Sequence, residues 1–167
     1  MAGLSLQERL QPSLLDRLTD ESPEAGRESP NQRVLTVRKL RDCVLRDLTW
    51  LLNSVNLGSS DWQSRYPQVA SSVLNYGLPD LAGLTTSIID AEELARMVRQ
   101  IIWDFEPRIL RHTLQVRVGT APQQTSLNSL TFEIRGEVWA QPVPLELLLK
   151  TELDLETGSI NVVEQLG

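Results

Sequence analysis

An α+β domain, with helices first and an antiparallel meander after them, is the fold class the sequence predicts, and three features predict it. Two segments before residue 106 place apolar residues at helical spacing, the apolar residues after residue 113 recur at every second position, and the change of period falls beside Pro107. The expected architecture is a small single domain, two long helices packed on an antiparallel sheet, preceded by a short N-terminal docking helix. The 167 residues and 41% hydrophobic content are enough for one ordinary core.

Leu6, Leu10, Leu14, Leu15 and Leu18 recur near helical spacing, but Pro12 divides the run and leaves a short helix from about Ser13. Such a helix is too short to stand alone. Residues 19–33 are polar, contain Pro23 and Pro30 and have no apolar face to bury, which reads as a linker. The chain therefore divides into residues 1–32, helix and linker, and residues 33–167, the α+β domain. Leu14, Leu15 and Leu18 on a tethered helix are candidate partner contacts. The alternative is that this helix folds back onto its own domain.

Val37, Leu40, Val44, Leu48, Leu51, Leu52 and Val55 form one stripe with Arg38, Arg41, Asp42, Arg46 and Asp47 largely opposite, which predicts a long amphipathic helix ending near residues 53–58. A brief helical turn is expected over 69–74, closed by Asn75-Tyr76-Gly77-Leu78-Pro79-Asp80. The second long helix opens on Asp90 as N-cap with Glu93 three positions on, buries Leu94, Val98, Ile101, Ile102 and Phe105, and stops where Pro107 disfavours helical geometry at Glu106. Leu114, Val116 and Val118, then Leu130, Phe132 and Ile134, alternate with polar residues as half-buried strands do. A third strand runs from about Leu147 to Leu155, a turn falls at Glu156-Thr157-Gly158-Ser159, and Ile160, Val162 and Val163 return as the last strand.

Composition narrows the function. A net charge of −6 and a sequence pI near 4.8 argue against a general grip on a phosphate backbone, so nucleic acid is not an expected partner. Cys43 is alone and cannot form an internal disulfide, and with His112 the single histidine no zinc-spaced cluster exists; no metal or cofactor is expected. No apolar run reaches membrane-spanning length and the N-terminus lacks a secretory pattern, so membrane insertion is not expected and the reading is soluble and cytoplasmic. Asp104 and Glu106 are the acid pair to consider for glycoside cleavage, but side chains two apart on a helix diverge. There is no Gly-x-Ser-x-Gly elbow, Cys43 falls near an apolar stripe as a small core residue would, and His112 sits at a strand entry where a surface histidine is ordinary. No enzymatic activity is expected.

Glu106-Pro107-Arg108 stands apart, because opposite charges flank a rigid proline at a helix-to-strand junction where exposed charge costs little. Arg108 can contact a carboxylate in bidentate fashion and Glu106 can accept donors from a partner. Spacing alone supports a local ion pair or cap ahead of a polar docking point.

Four ordered blocks then carry a resemblance. Pro12-Ser13-Leu14-Leu15-Asp16-Arg17-Leu18, Arg46-Asp47-Leu48-Thr49-Trp50-Leu51-Leu52-Asn53, Ser72-Val73-Leu74-Asn75-Tyr76-Gly77-Leu78-Pro79-Asp80 and Phe105-Glu106-Pro107-Arg108 stand in the order seen in the TssE family of bacterial type VI secretion systems, and the domain also resembles the small wedge protein of contractile-phage baseplates. The resemblance implies an assembly role: joining TssF, TssG and TssK in baseplate wedges that serve as the platform for sheath polymerisation, in the cytoplasm at a membrane-docked baseplate. It implies docking through Glu106 and Arg108, with Pro107 holding the turn. The platform role suggests sheath subunits as partners for the last strand, a candidate sheet edge containing Val162. The alternative is a peptidoglycan-cleaving, lysozyme-like enzyme, a label some related phage proteins have carried, and a stand-alone regulatory binding module is a third possibility.

Overall fold

The structure is a computed structural model that describes residues 13–19, 24, 36–58, 65–83, 90–118, 129–140 and 144–165. In chain order the elements are α1 (Leu14–Leu18), α2 (Val37–Leu52), α3 (Pro67–Ala70), a 3-10 turn (Val73–Asn75), α4 (Ala91–Phe105), and strands β1 (Gln115–Val118), β2 (Ser129–Val138), β3 (Leu145–Asp154) and β4 (Ile160–Glu164). The strands form one antiparallel sheet in the order β1-β2-β3-β4. This is the predicted α+β architecture. The expected linker over residues 19–33 lies, apart from Thr19 and Glu24, outside the described residues.

Both long helices begin on side-chain caps. The Thr36 hydroxyl accepts the Lys39 N–H at the head of α2, and the Asp90 carboxylate accepts the Glu92 and Glu93 N–H groups at the head of α4. Leu40, Val44, Leu48, Leu51 and Leu52 of α2 and Leu94, Val98, Ile101 and Ile102 of α4 join one apolar cluster with Phe132, Ile134, Val138, Leu147, Leu149 and Leu153 of the sheet. The strand period explains the match: β2 and β3 bury alternate residues, and Thr151, in the same row, is buried with its hydroxyl donated to the Phe132 carbonyl at 3.2 Å. The α2 stripe is shorter than predicted, because Val37 and Val55 at its ends are 46% and 66% exposed. Val55 already lies past the helix, in a parallel bridge to Leu78.

That bridge fixes the segment between the long helices. Leu78 N–H donates to the Ser54 carbonyl and Asn56 N–H to the Leu78 carbonyl, both at 2.8 Å. Only glycine fits before it: Gly77 has φ of 109°, and a Cβ there would lie 2.1 Å from the Ser54 oxygen. The predicted helical turn over 69–74 is resolved into α3 and the 3-10 turn.

At the far side, β4 is a sheet edge. Asp154 N–H bonds the Ser159 carbonyl and Gln165 N–H the Leu148 carbonyl, both at 2.9 Å, so the alternation of an antiparallel ladder turns the backbone groups of Asn161 and Val163 toward β3 and those of Ile160, Val162 and Glu164 outward. Asn53, just past α2, satisfies the first of these: it accepts the Ile160 N–H at 2.9 Å and donates to the Ile160 carbonyl at 2.8 Å. Among the described residues, no helix is long and apolar enough to cross a membrane.

Candidate functional site on the Glu-Pro-Arg turn

The last backbone bond of α4 runs from the Glu106 N–H to the Ile102 carbonyl at 2.9 Å. Pro107 then carries the chain out of helical geometry, as its missing donor and fixed φ require. The turn is tied down to the end of β2: Trp139 N–H donates to the Arg108 carbonyl and Leu110 N–H to the Glu137 carbonyl, both at 2.8 Å, with Ile109 bridged to Val138. The sheet thus sets where Glu106 and Arg108 stand.

Their side chains point at each other. Glu106 Oε1 accepts from the Arg108 N–H at 3.1 Å and from Nε at 2.7 Å, while Oε2 accepts from Nη2. Arg108 Nη2 also donates to Asp47 Oδ2, and Asp47 Oδ1 accepts from Arg46 Nε at 2.8 Å and Nη2 at 2.7 Å. Arg46 in turn reaches α1, its Nη1 lying 2.7 Å from Asp16 Oδ1, with Ser13 Oγ donating to Asp16 Oδ2. Three carboxylates and two guanidiniums therefore alternate in one line: Asp16, Arg46, Asp47, Arg108, Glu106.

Burial and charge act together along it. Burial works against the Arg108 charge, but the hydrogen bonds and charges of Glu106 and Asp47 outweigh it and raise its pKa further. Hydrogen bonding to Asp16 is the largest influence on Arg46 and raises it likewise. At Asp16 burial pushes the carboxyl up, yet hydrogen bonds from Arg46, Ser13 and Cys43 hold it at about 2. Arg108, Arg46 and Asp16 therefore stay ionised through the neutral range. The Arg46 guanidinium also lies over the Trp50 ring, 5.0 Å from its centroid. Tyr76 borders the cluster: burial first, then the charges of Asp47 and Glu106, raise its hydroxyl, and its ring meets Phe105 edge-on at 5.2 Å.

One sequence expectation changes here. Glu106 and Arg108 do not flank an exposed turn: Glu106 is 4% exposed, Arg108 is half-buried, and of the three only Pro107 is fully exposed. A buried carboxylate needs donors close by, and the turn supplies Arg108 in position. Cys43 is buried at 5% among the core residues, as expected; its thiol also meets Asp16, with Arg46 and Arg108 nearby, and burial and then Asp16 push it up.

The acid pair does not converge, since Asp104 is held by the Gln100 amide at 3.1 Å while Glu106 is held by Arg108. Leu14, Leu15 and Leu18 are on the outside of α1, 70%, 46% and 75% exposed. Val162 stands on the β4 edge and takes no part in the cluster. Asp16, Arg46, Asp47 and Tyr76 were not singled out as site residues, although each lies in one of the four blocks and together with Glu106 and Arg108 they bring all four blocks to one place.

The family model described as baseplate wedge protein gp25 matches residues 38–143, more than half of the chain, so this chain belongs to that family, and its role is the structural one of a phage-baseplate-like protein. The match contains Arg46, Asp47, Tyr76, Glu106 and Arg108, and leaves α1 and the whole β3–β4 hairpin outside it. No curated protein and no solved structure matches in the same comparisons.

Proposed function

We propose that this chain is a TssE-like subunit of a type VI secretion baseplate, docking to TssF, TssG and TssK in the wedge and supporting sheath assembly, without catalytic activity of its own. The observation that carries this reading is the convergence of the four resembling blocks on one charged cluster inside a domain of the baseplate wedge family. Glu106 and Asp47 fix the Arg108 guanidinium in place, and a guanidinium held in one orientation is suited to recognising a partner carboxylate or carbonyl. Prior pairing also lowers the entropic cost of presenting it. The outward leucines of α1 supply apolar contact area, and the outward N–H and carbonyl of Val162 on β4 supply a short edge to which a sheath strand can add.

This assignment gives the protein a cytoplasmic place at a membrane-docked baseplate. The test is co-purification of the tagged chain with co-expressed TssF and TssG, alongside an assay for release of soluble fragments from peptidoglycan. A stable complex and no cleavage is the expected result; cleavage of peptidoglycan, or failure to join the complex, would overturn it.

A further inference from the structure

The short helix α1 presents the wrong face for a helix that belongs to a core. Its three leucines are exposed, whereas Asp16 meets the domain: its side chain is 8% exposed, bonded to Arg46 Nη1 at 2.7 Å and to Ser13 Oγ. The cap and the ion pair are thus made by the same few atoms, because Ser13 Oγ also accepts the Asp16 N–H. Five helical residues have no stability of their own, so α1 stays formed through these contacts. Hydrophobic burial, the usual means of fixing a terminal helix, contributes little here.

Beneath α1 lies Cys43. It is 5% exposed, buried on the inner side of α2, and its thiol meets Asp16, with Arg46 and Arg108 nearby. The apolar cluster contains no α1 residue, and Asp16 is the α1 group that the thiol faces.

We infer that α1 is a salt-bridge latch that closes over Cys43 and opens without unfolding the domain. Opening releases Arg46 Nη1 and the Asp16 carboxylate in one step, while Arg46 Nε and Nη2 stay on Asp47 beside Arg108. The consequence for assembly rests on the proposed docking role of that cluster: a wedge partner with a carboxylate for Arg46 would replace Asp16 and release α1 with its leucines. The latch itself is a property of the isolated chain and is tested without any partner.

The native thiol is the reporter. Full-length protein is treated with 5,5′-dithiobis(2-nitrobenzoate) in native buffer, and the labelling rate of Cys43 is compared for wild type, Asp16→Asn and Arg46→Gln, with melting followed on the same samples. The two variants act oppositely on the thiol's ionisation, since Asp16 raises its pKa and Arg46 lowers it. They act alike on the latch. Labelling about 10-fold faster or more in both, with melting little changed, is expected, and salt should accelerate the wild type by screening the same pair. Faster labelling in Asp16→Asn with slower labelling in Arg46→Gln would mean that only thiol ionisation had changed, and it would overturn the latch. So would an unchanged rate in both, or loss of cooperative melting in Asp16→Asn, which would make α1 part of the core. A docking failure with a working latch would instead count against the partner reading alone.

Discussion

Arg108→Ala is the perturbation whose cost the structure defines best. The substitution removes two of the three donors that reach the Glu106 carboxylate, Nε and Nη2, and leaves the backbone N–H at 3.1 Å. Glu106 is only 4% exposed, so water is a poor replacement. Breaking a buried ion pair by removing one member costs about 3–5 kcal/mol. The Arg108 side chain is itself 24% exposed and one donor survives, which places the cost near the lower end, about 3 kcal/mol. For a chain of this size that corresponds to a melting decrease of roughly 6–12 °C, from about 2–4 °C per kcal/mol. Glu106→Ala should cost less, about 1–2 kcal/mol, because Arg108 keeps Asp47 and partial access to water. Thermal and urea unfolding of both variants and of the double variant form a cycle in which the double variant should lose less than the two singles added together. If Arg108→Ala melts within 1 °C of wild type, or the losses simply add, the pair is not coupled and the account of the turn is wrong.

Other expected outcomes come from separate parts of the fold. Gly77→Ala should destabilise by about 2 kcal/mol or more, since the position combines positive φ with a Cβ placed 2.1 Å from the Ser54 oxygen; urea unfolding checks it, and a neutral effect would show that the Ser54–Leu78 bridge is soft. Val162→Pro removes an outward donor rather than a β3 ladder bond, so the protein should stay folded by circular dichroism while sheath polymerisation on reconstituted wedges fails; normal polymerisation would count against strand addition at this edge. Asp16 has its carboxyl lowered from 3.8 to about 2, so its contribution to holding α1 is fully present above the ordinary carboxylate range and is lost as pH falls through about 2. Side-chain carboxyl chemical shifts should titrate there, and a midpoint near 4 would show that the Arg46 contact is not formed in solution.

The fold was legible because it rests on periodicity and punctuation that the chain carries locally. Asp90 and Pro107 bracket α4, and the alternation through Phe132, Ile134, Leu147 and Leu149 marks one face of the sheet. The site was legible only in part. Glu106 and Arg108 are two apart, and their pairing follows from spacing, but their burial depends on Asp47, 61 positions from Arg108, which arrives through the packing of α2 beside the turn. Arg46 and Asp47 are neighbours in sequence and read simply as the polar side of an amphipathic helix. Cys43 is buried as its place beside the apolar stripe predicts, but that place does not reveal that its thiol meets Asp16 of α1. The blocks of the resemblance held the missing signal, because each contributes a charged or hydroxylated residue to the same cluster.

The central claim is that the Arg108 cluster presents a docking surface in a baseplate wedge, and a variant that stays folded tests it most directly. Arg108→Lys keeps the charge but loses the planar two-donor contact, so it separates presentation of the guanidinium from mere pairing of charge. Titrating a purified TssF–TssG complex onto wild-type and Arg108→Lys protein, with melting measured on the same preparations, should give tight binding for the first and at least about 10-fold weaker binding for the second while it remains folded. Equal affinity of the two, or no binding by wild type, would contradict the account.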